Sequence, residues 1–259
     1  IWWDSVRKLL DELYYKLNLP VFGEFRKKII IFEIGIAVIL LVVFYFITKH
    51  PDVKGLKMIT LDLGYAESHI LRLPDDKIYV INGGIRQFDE QKKFSEFDQG
   101  DRIVFNYIKR EGIISIQAII MQSFSPEYFT GLKTVVEYSD LKEWYDILDP
   151  QKINSATSYA EFLAALGDKQ LIANQESKKV KHIYDRYIEI LKLLEKKKVK
   201  RYQLKRGMEI CQENVNGINF KIQCLNPPEQ LQIGELTYKD RSAVVRAVFG
   251  NKSILFTGE

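Results

Sequence analysis

Histidine is scarce in this chain of 259 residues: there are three, His50, His69 and His182. None lies near another, so no H-x-H or H-x₃-H pair exists, and the clustered imidazoles of a local zinc motif are excluded. A Gly-rich phosphate loop, a G-x-S-x-G elbow and a Cys/His zinc framework are also missing, which removes the corresponding nucleotide, esterase and zinc-finger classes. Net charge is small, at +4. A mean hydropathy of −0.16 excludes a polytopic membrane protein. At the same time, 46% hydrophobic and 12% aromatic residues exclude a disordered or fibrous chain.

That average conceals one almost wholly apolar stretch. Residues 29–48 read IIIFEIGIAVILLVVFYFIT, twenty residues whose only charge is Glu33. As a helix they cover about 30 Å, the thickness of a bilayer's hydrocarbon core. Glu33 lies one turn inside the N-terminal edge, within reach of Lys27 or Lys28, and Phe44, Tyr45 and Phe46 form an aromatic belt at the other edge. The run is longer than a signal-peptide core and no small-x-small site follows, so an uncleaved single-pass anchor is expected. Arg7, Lys8, Lys16, Arg26, Lys27 and Lys28 precede it, and only Lys49, Lys54 and Lys57 follow closely. The positive-inside rule then predicts a cytoplasmic N-terminus and an extracytoplasmic C-terminal domain. Residues 1–28 include an amphipathic helical pattern (Trp3, Val6, Leu10, Leu13, Tyr14, Leu17) suited to the membrane interface, to a partner subunit of a membrane complex, or to the end of a preceding helical domain.

Beyond residue 57 the pattern alternates between strands and helices. KMITLDLG, HILRLP and KIYVINGG read as three strands, residues 104–112 as a helix, and IQAIIM at 116–121 as a central strand. Further strands are predicted at 141–147, 202–204, 209–211, 220–225, 243–248 and 253–257, with helices at 159–166 and 183–194. Asn216-Gly217 marks a two-residue hairpin. Counting back from that turn, Cys211 falls opposite Ile222 and Cys224 opposite Glu209, a diagonal placement that predicts two free thiols. The whole is an α/β sandwich.

MITLDLGYAESHILRLPDDKIYVINGG resembles the opening of the metallo-β-lactamase fold, in particular the extracytoplasmic domain of ComEC-type competence (DNA-uptake) proteins, which read FLDVGQGD, an apolar strand and IDGG. GDRIVFNYIKREGIISIQAIIM is similar to that family's next helix and strand. RYQLKRGMEI, FKIQCLNPP and SAVVRAVFGNKSILFTGE resemble its later strands, down to the LLTGD signature. The resemblance covers residues 57–259, with an insertion at about 167–181, and implies an αββα sandwich. The family's H-H-G-S stretch follows LLTGD, so on this resemblance the fold's last strands and helix are expected to be missing from the sequence, either because it is cut short at Glu259 or because the domain is incomplete.

It also implies a metal site at H-x-H-x-D-H, where imidazole nitrogens hold zinc and activate water. Anchored on the following GL, this chain has Ser123 and Ser125 at the first two His positions, Glu127 at the Asp and Tyr128 at the last His. Glu259 stands at the Asp of LLTGD and Asn82 at the Asp of IDGG; Asp62 keeps its acid. Neutral hydroxyls are poor zinc ligands, so a catalytically dead pseudo-hydrolase with no cofactor is expected. Its expected role is as a binding or structural subunit of a membrane complex. The alternative is a metal-dependent phosphodiesterase or nuclease linked to DNA uptake, with Mg²⁺, Mn²⁺ or Ca²⁺ on an oxygen cluster of Asp62, Glu67, Glu127, Tyr128 and Glu259.

Residues 178–206 carry twelve Lys and Arg against three acids, a local +9 that leaves the remainder at −5. Lys196, Lys197, Lys198, Lys200 and Arg201 are therefore candidates for contact with nucleic acid or anionic headgroups, in a non-cleaving DNA-binding module. The alternative is the solvated face of an amphipathic helix with lysines at its C-terminus.

Overall fold

The computed structural model describes residues 5, 7–8, 11–12, 22–48, 55–88, 94–156, 158–166, 178–227 and 242–258. The chain divides into two compact units, Ile1–Asp52 and Val53–Glu259.

The first unit contains α1 (Phe22–Thr48), 27 residues of unbroken helix, or about 40 Å. Of the amphipathic segment at 1–28, only Ser5, Arg7, Lys8, Asp11 and Glu12 precede α1 among the described residues, each helical. A globular helix buries its apolar stripe; α1 does the reverse. Phe32, Ile34, Val38, Leu41 and Phe44 point in all directions around it and are exposed, Phe32 by 69%. Counting only residues whose side chains are described, no helix is long and apolar enough to cross a membrane. In α1 those side chains run unbroken from Phe32 to Phe44, and the helical backbone extends past them at both ends.

The second unit is a mixed α/β sandwich. Its larger sheet joins β1 (Lys57–Thr60), β2 (His69–Arg72), β3 (Ile78–Ile81), β6 (Ser115–Ile120), β7 (Asp140–Asp146) and β8 (Lys200–Gln203) in that order. The first three are antiparallel neighbours, whereas β3, β6, β7 and β8 run parallel. IYVI in β3 is fully buried, and β6 is buried at Ile116 and from Ala118 to Ile120. Such continuous apolar runs are what parallel strands need when both faces are covered. The smaller sheet is antiparallel, ordered β12 (Lys252–Phe256), β11 (Val244–Phe249), β10 (Ile218–Asn226), β9 (Glu209–Val215). It packs on the larger one through Tyr79 against Phe220, with ring centroids 5.7 Å apart, and His69 against Phe256 at 5.1 Å.

Helices cover the other face of the large sheet. They are α2 (Asn106–Arg110), α3 (Pro126–Phe129), α4 (Leu132–Tyr138), α5 (Pro150–Ser155), α6 (Tyr159–Leu166) and α7 (Lys178–Lys196). Phe124, Phe129, Phe162 and Tyr187 form the aromatic heart of this layer, with centroids 5.0–5.8 Å apart. Among the described residues no helix follows β8, so the described layers are helix, mixed sheet and antiparallel sheet.

Two local expectations are corrected, and one hairpin is added. The helix expected at 104–112 starts earlier, as a π-helical turn at Gly100–Phe105, and continues as α2. Gly100, at the start of that turn, lets the chain pass close to Gly131: a Cβ there would lie 1.8 Å from the Gly131 carbonyl oxygen. A short hairpin, β4 (Arg86–Phe88) with β5 (Phe94–Asp98), precedes that turn and was not expected. In the β9–β10 hairpin, Asn216 and Gly217 both have positive φ, 52° and 83°, as a type I′ turn requires. Cys211 pairs with Ile222 as expected, but a bulge then puts Gln223, not Cys224, opposite Glu209. Both thiols are free, and burial pushes them up to about 12 and about 11.

Candidate functional site

The parallel strands β3 and β6 end side by side, and their C-terminal loops carry most of the residues to which the sequence directs attention. Asn82 leaves β3 in the left-handed region, with φ 59°, and is fully buried. Its Nδ2 donates to Gln122 Oε1 at 2.9 Å, and Gln122 N donates back to Asn82 Oδ1 at 3.0 Å. The Gln122 amide nitrogen donates in turn to the carbonyls of Ala243, at 2.6 Å, and Phe256, at 2.9 Å. Ala243 N donates to Gln122 O at 2.6 Å. Gln122 thus spends both amide hydrogens, its side-chain oxygen, its N–H and its carbonyl on protein partners. The network stitches the ends of the two sheets together at the edge where the resemblance places a metal.

The remaining predicted positions lie beside it. Ser123 is buried and its Oγ accepts from Ser125 N at 3.2 Å. Ser125, also buried, donates its hydroxyl to Glu127 Oε2 across a close contact. Tyr128 is buried; its N–H donates to Ser125 O and its carbonyl accepts from Gly83 N at 2.8 Å. Gly83 is required here, since a Cβ would fall 2.1 Å from the Leu132 side chain.

Asp62 is exposed and its Oδ1 closes a turn on Gly64 N at 3.0 Å. Glu67 lies 3.8 Å from His69 Nε2. His69 Nδ1 is 3.0 Å from Thr60 Oγ1. Burial pulls the His69 pKa below the ordinary imidazole value, against the opposing pull of Glu67. His50 and Glu259 lie outside the described residues.

The zinc implied by the resemblance does not fit this donor set. Ser123, Ser125, Asn82 and Gln122 are neutral and already hydrogen-bonded to one another, to backbone or, for Ser125, to Glu127. Among the described residues no group of three or more His, Cys, Asp or Glu is assembled. Gln122, the centre of the arrangement, gave no signal in the sequence, where it is one polar residue after an apolar strand.

The basic candidates are held differently. Lys197 caps the C-terminus of α4, donating to Glu137 O at 2.6 Å and Ser139 O at 2.8 Å. Lys196, Lys198 and Lys200 are exposed, Lys198 in a left-handed turn after α7 (φ 56°). Arg201 is half-buried and donates to Asn154 Oδ1 at 2.9 Å and, more weakly, to Tyr187 Oη at 3.5 Å. Two buried acids anchor α7. Asp146 accepts from Trp144 Nε1 (2.6 Å), Tyr187 Oη (2.7 Å) and Leu148 N (2.9 Å). Asp98 accepts from the buried Arg186 at 2.6 Å. Below β7 and β8 an open cleft of about 720 Å³ involves Asp149, Arg201, Tyr202, Lys205 and Arg206.

No protein-family model matches the chain, and no curated protein is detectably similar to it in sequence.

Proposed function

We propose that this protein is a membrane-anchored pseudo-hydrolase of the metallo-β-lactamase fold, serving as a binding or structural subunit of a membrane complex. The observation that carries this reading is the Asn82–Gln122 network. A catalytic edge needs ligands with free lone pairs directed at a common point. Here Asn82 and the adjoining Gln122 spend their side-chain donors and acceptors on holding two sheets together, and the hydroxyls of Ser123 and Ser125 are engaged within their own loop. α1 supports the anchor: its exposed apolar side chains need a non-aqueous neighbour, and residues 29–48 have the length of a span. The excess of Lys and Arg before residue 29 orients the N-terminus to the cytoplasm.

Metal analysis of the detergent-solubilised chain tests the reading, together with a phosphodiesterase assay in the presence of zinc or manganese. Sub-stoichiometric metal and no turnover are expected. A stoichiometric metal accompanied by turnover overturns it.

A further inference from the structure

All four parallel strands finish at one edge of the large sheet, the edge at which ligands enter α/β sheets. At β3 and β6 that edge is closed by the Asn82–Gln122 network. At β7 and β8 it opens into the cleft of about 720 Å³, within the range of about 300–1,000 Å³ typical of small-molecule sites.

Its lining is cationic. Arg201, Lys205 and Arg206 face the single carboxylate of Asp149, which is already engaged as the N-cap of α5, accepting from Gln151 N at 2.9 Å. Arg201 is held in place by Asn154 and Tyr187, and its Nε is buried with no hydrogen-bond partner among the described residues. A guanidinium fixed in this way is preorganised for the oxygens of a phosphate. Lys205 and Arg206 are exposed; the backbone N–H of Arg206 is tied to Pro227 O at 2.8 Å. The Tyr202 ring turns to the opposite face of β8, where it stacks on Tyr145 with centroids 4.9 Å apart, so the cations and not an aromatic ring mark this part of the cleft.

We infer that this cleft binds a small phosphate ester, its phosphates on Arg201, Lys205 and Arg206. This goes beyond the proposed function by naming a ligand class. It rests on that function only in holding that the ligand leaves unchanged.

The test is calorimetric titration of the full chain in detergent with ADP, inorganic pyrophosphate and adenosine. ADP and pyrophosphate are expected to bind saturably and to compete, while adenosine does not bind. The exposed double variant Lys205→Ala/Arg206→Ala should weaken ADP by about tenfold or more with an unchanged melting temperature. A Lys196→Ala/Lys198→Ala control should bind as the wild type does. Absence of saturable binding, equal binding by the first double variant, or a loss confined to the control pair overturns the inference. Chromatography of recovered ADP separates the two readings. Intact nucleotide agrees with both, and hydrolysed nucleotide defeats the pseudo-hydrolase reading while leaving the cleft in place.

Discussion

Gln122 carries the highest density of polar contacts at the sheet edge, and its replacement is correspondingly costly. In Gln122→Leu the side-chain volume is nearly kept, but Asn82 loses its side-chain acceptor and two carbonyls, Ala243 and Phe256, lose a buried donor. Leaving buried polar groups unmet costs about 1–3 kcal/mol each, partly relieved by relaxation. The expected loss of stability is about 2–4 kcal/mol, read from urea denaturation; a change under about 0.5 kcal/mol would show that the network holds nothing. Asn82 makes a second, separable contribution. At φ 59° an alanine pays about 1–2 kcal/mol that glycine avoids. Asn82→Ala should therefore be less stable than Asn82→Gly by about 1 kcal/mol, although both lose the same side-chain bonds.

The elements themselves are joined by buried charges. α7 reaches β7 through Tyr187 and Asp146, and reaches β5 through Arg186 and Asp98. Burial raises the Asp146 pKa above the ordinary carboxylate value; Arg201, Tyr187 and Trp144 pull it back only in part. A carboxyl whose pKa is higher in the folded than in the unfolded state binds more protons when folded. Its contribution is fully present below the ordinary value of about 4 and is lost as pH rises through the raised folded value. Asp146→Asn cannot titrate. The stability difference between wild type and Asp146→Asn should therefore move against the wild type as pH rises through that window, in denaturant melts recorded at successive pH values. A pH-independent difference would show that burial does not shift this group. For the second joint, Arg186→Met leaves Asp98 buried without its main cation, and a loss of about 3–5 kcal/mol is expected; adding Asp98→Leu should recover most of it.

These joints also mark where the sequence stops being readable. β3, β6 and the β9–β10 hairpin are legible because their signals are local: an unbroken apolar run, or Asn-Gly between two alternating strands. The β4–β5 hairpin has a strand of only three residues on one side and no Asn-Gly turn, so nothing in the period marks it. Ser123 and Ser125 draw attention through their spacing, as hydroxyls where the resemblance expects imidazoles. What occupies the edge instead is not legible, because Gln122 meets partners 40, 121 and 134 positions away. The cationic cleft escapes for the same reason. Arg201, Lys205 and Arg206 look like part of one long basic stretch, and only the fold separates them from Lys197, which caps a helix.

At the scale of the whole molecule, the two units on either side of residue 52 place their apolar side chains differently. Every buried core residue from Leu63 to Phe256 belongs to the second unit. The first unit presents apolar side chains outward along α1. If residues 29–48 lie in a bilayer, the full chain should remain with membranes after alkaline carbonate extraction and require detergent for release. Residues 53–259 expressed alone should be soluble without detergent and unfold in one cooperative transition, at a denaturant midpoint matching that of the second unit in the full chain. Since the slope of that transition scales with the surface exposed on unfolding, an unchanged slope means that the same core has folded. Carbonate release of the full chain would remove the anchor. A broadened or lowered transition in the 53–259 fragment would instead show that the apolar helix contributes to the sandwich.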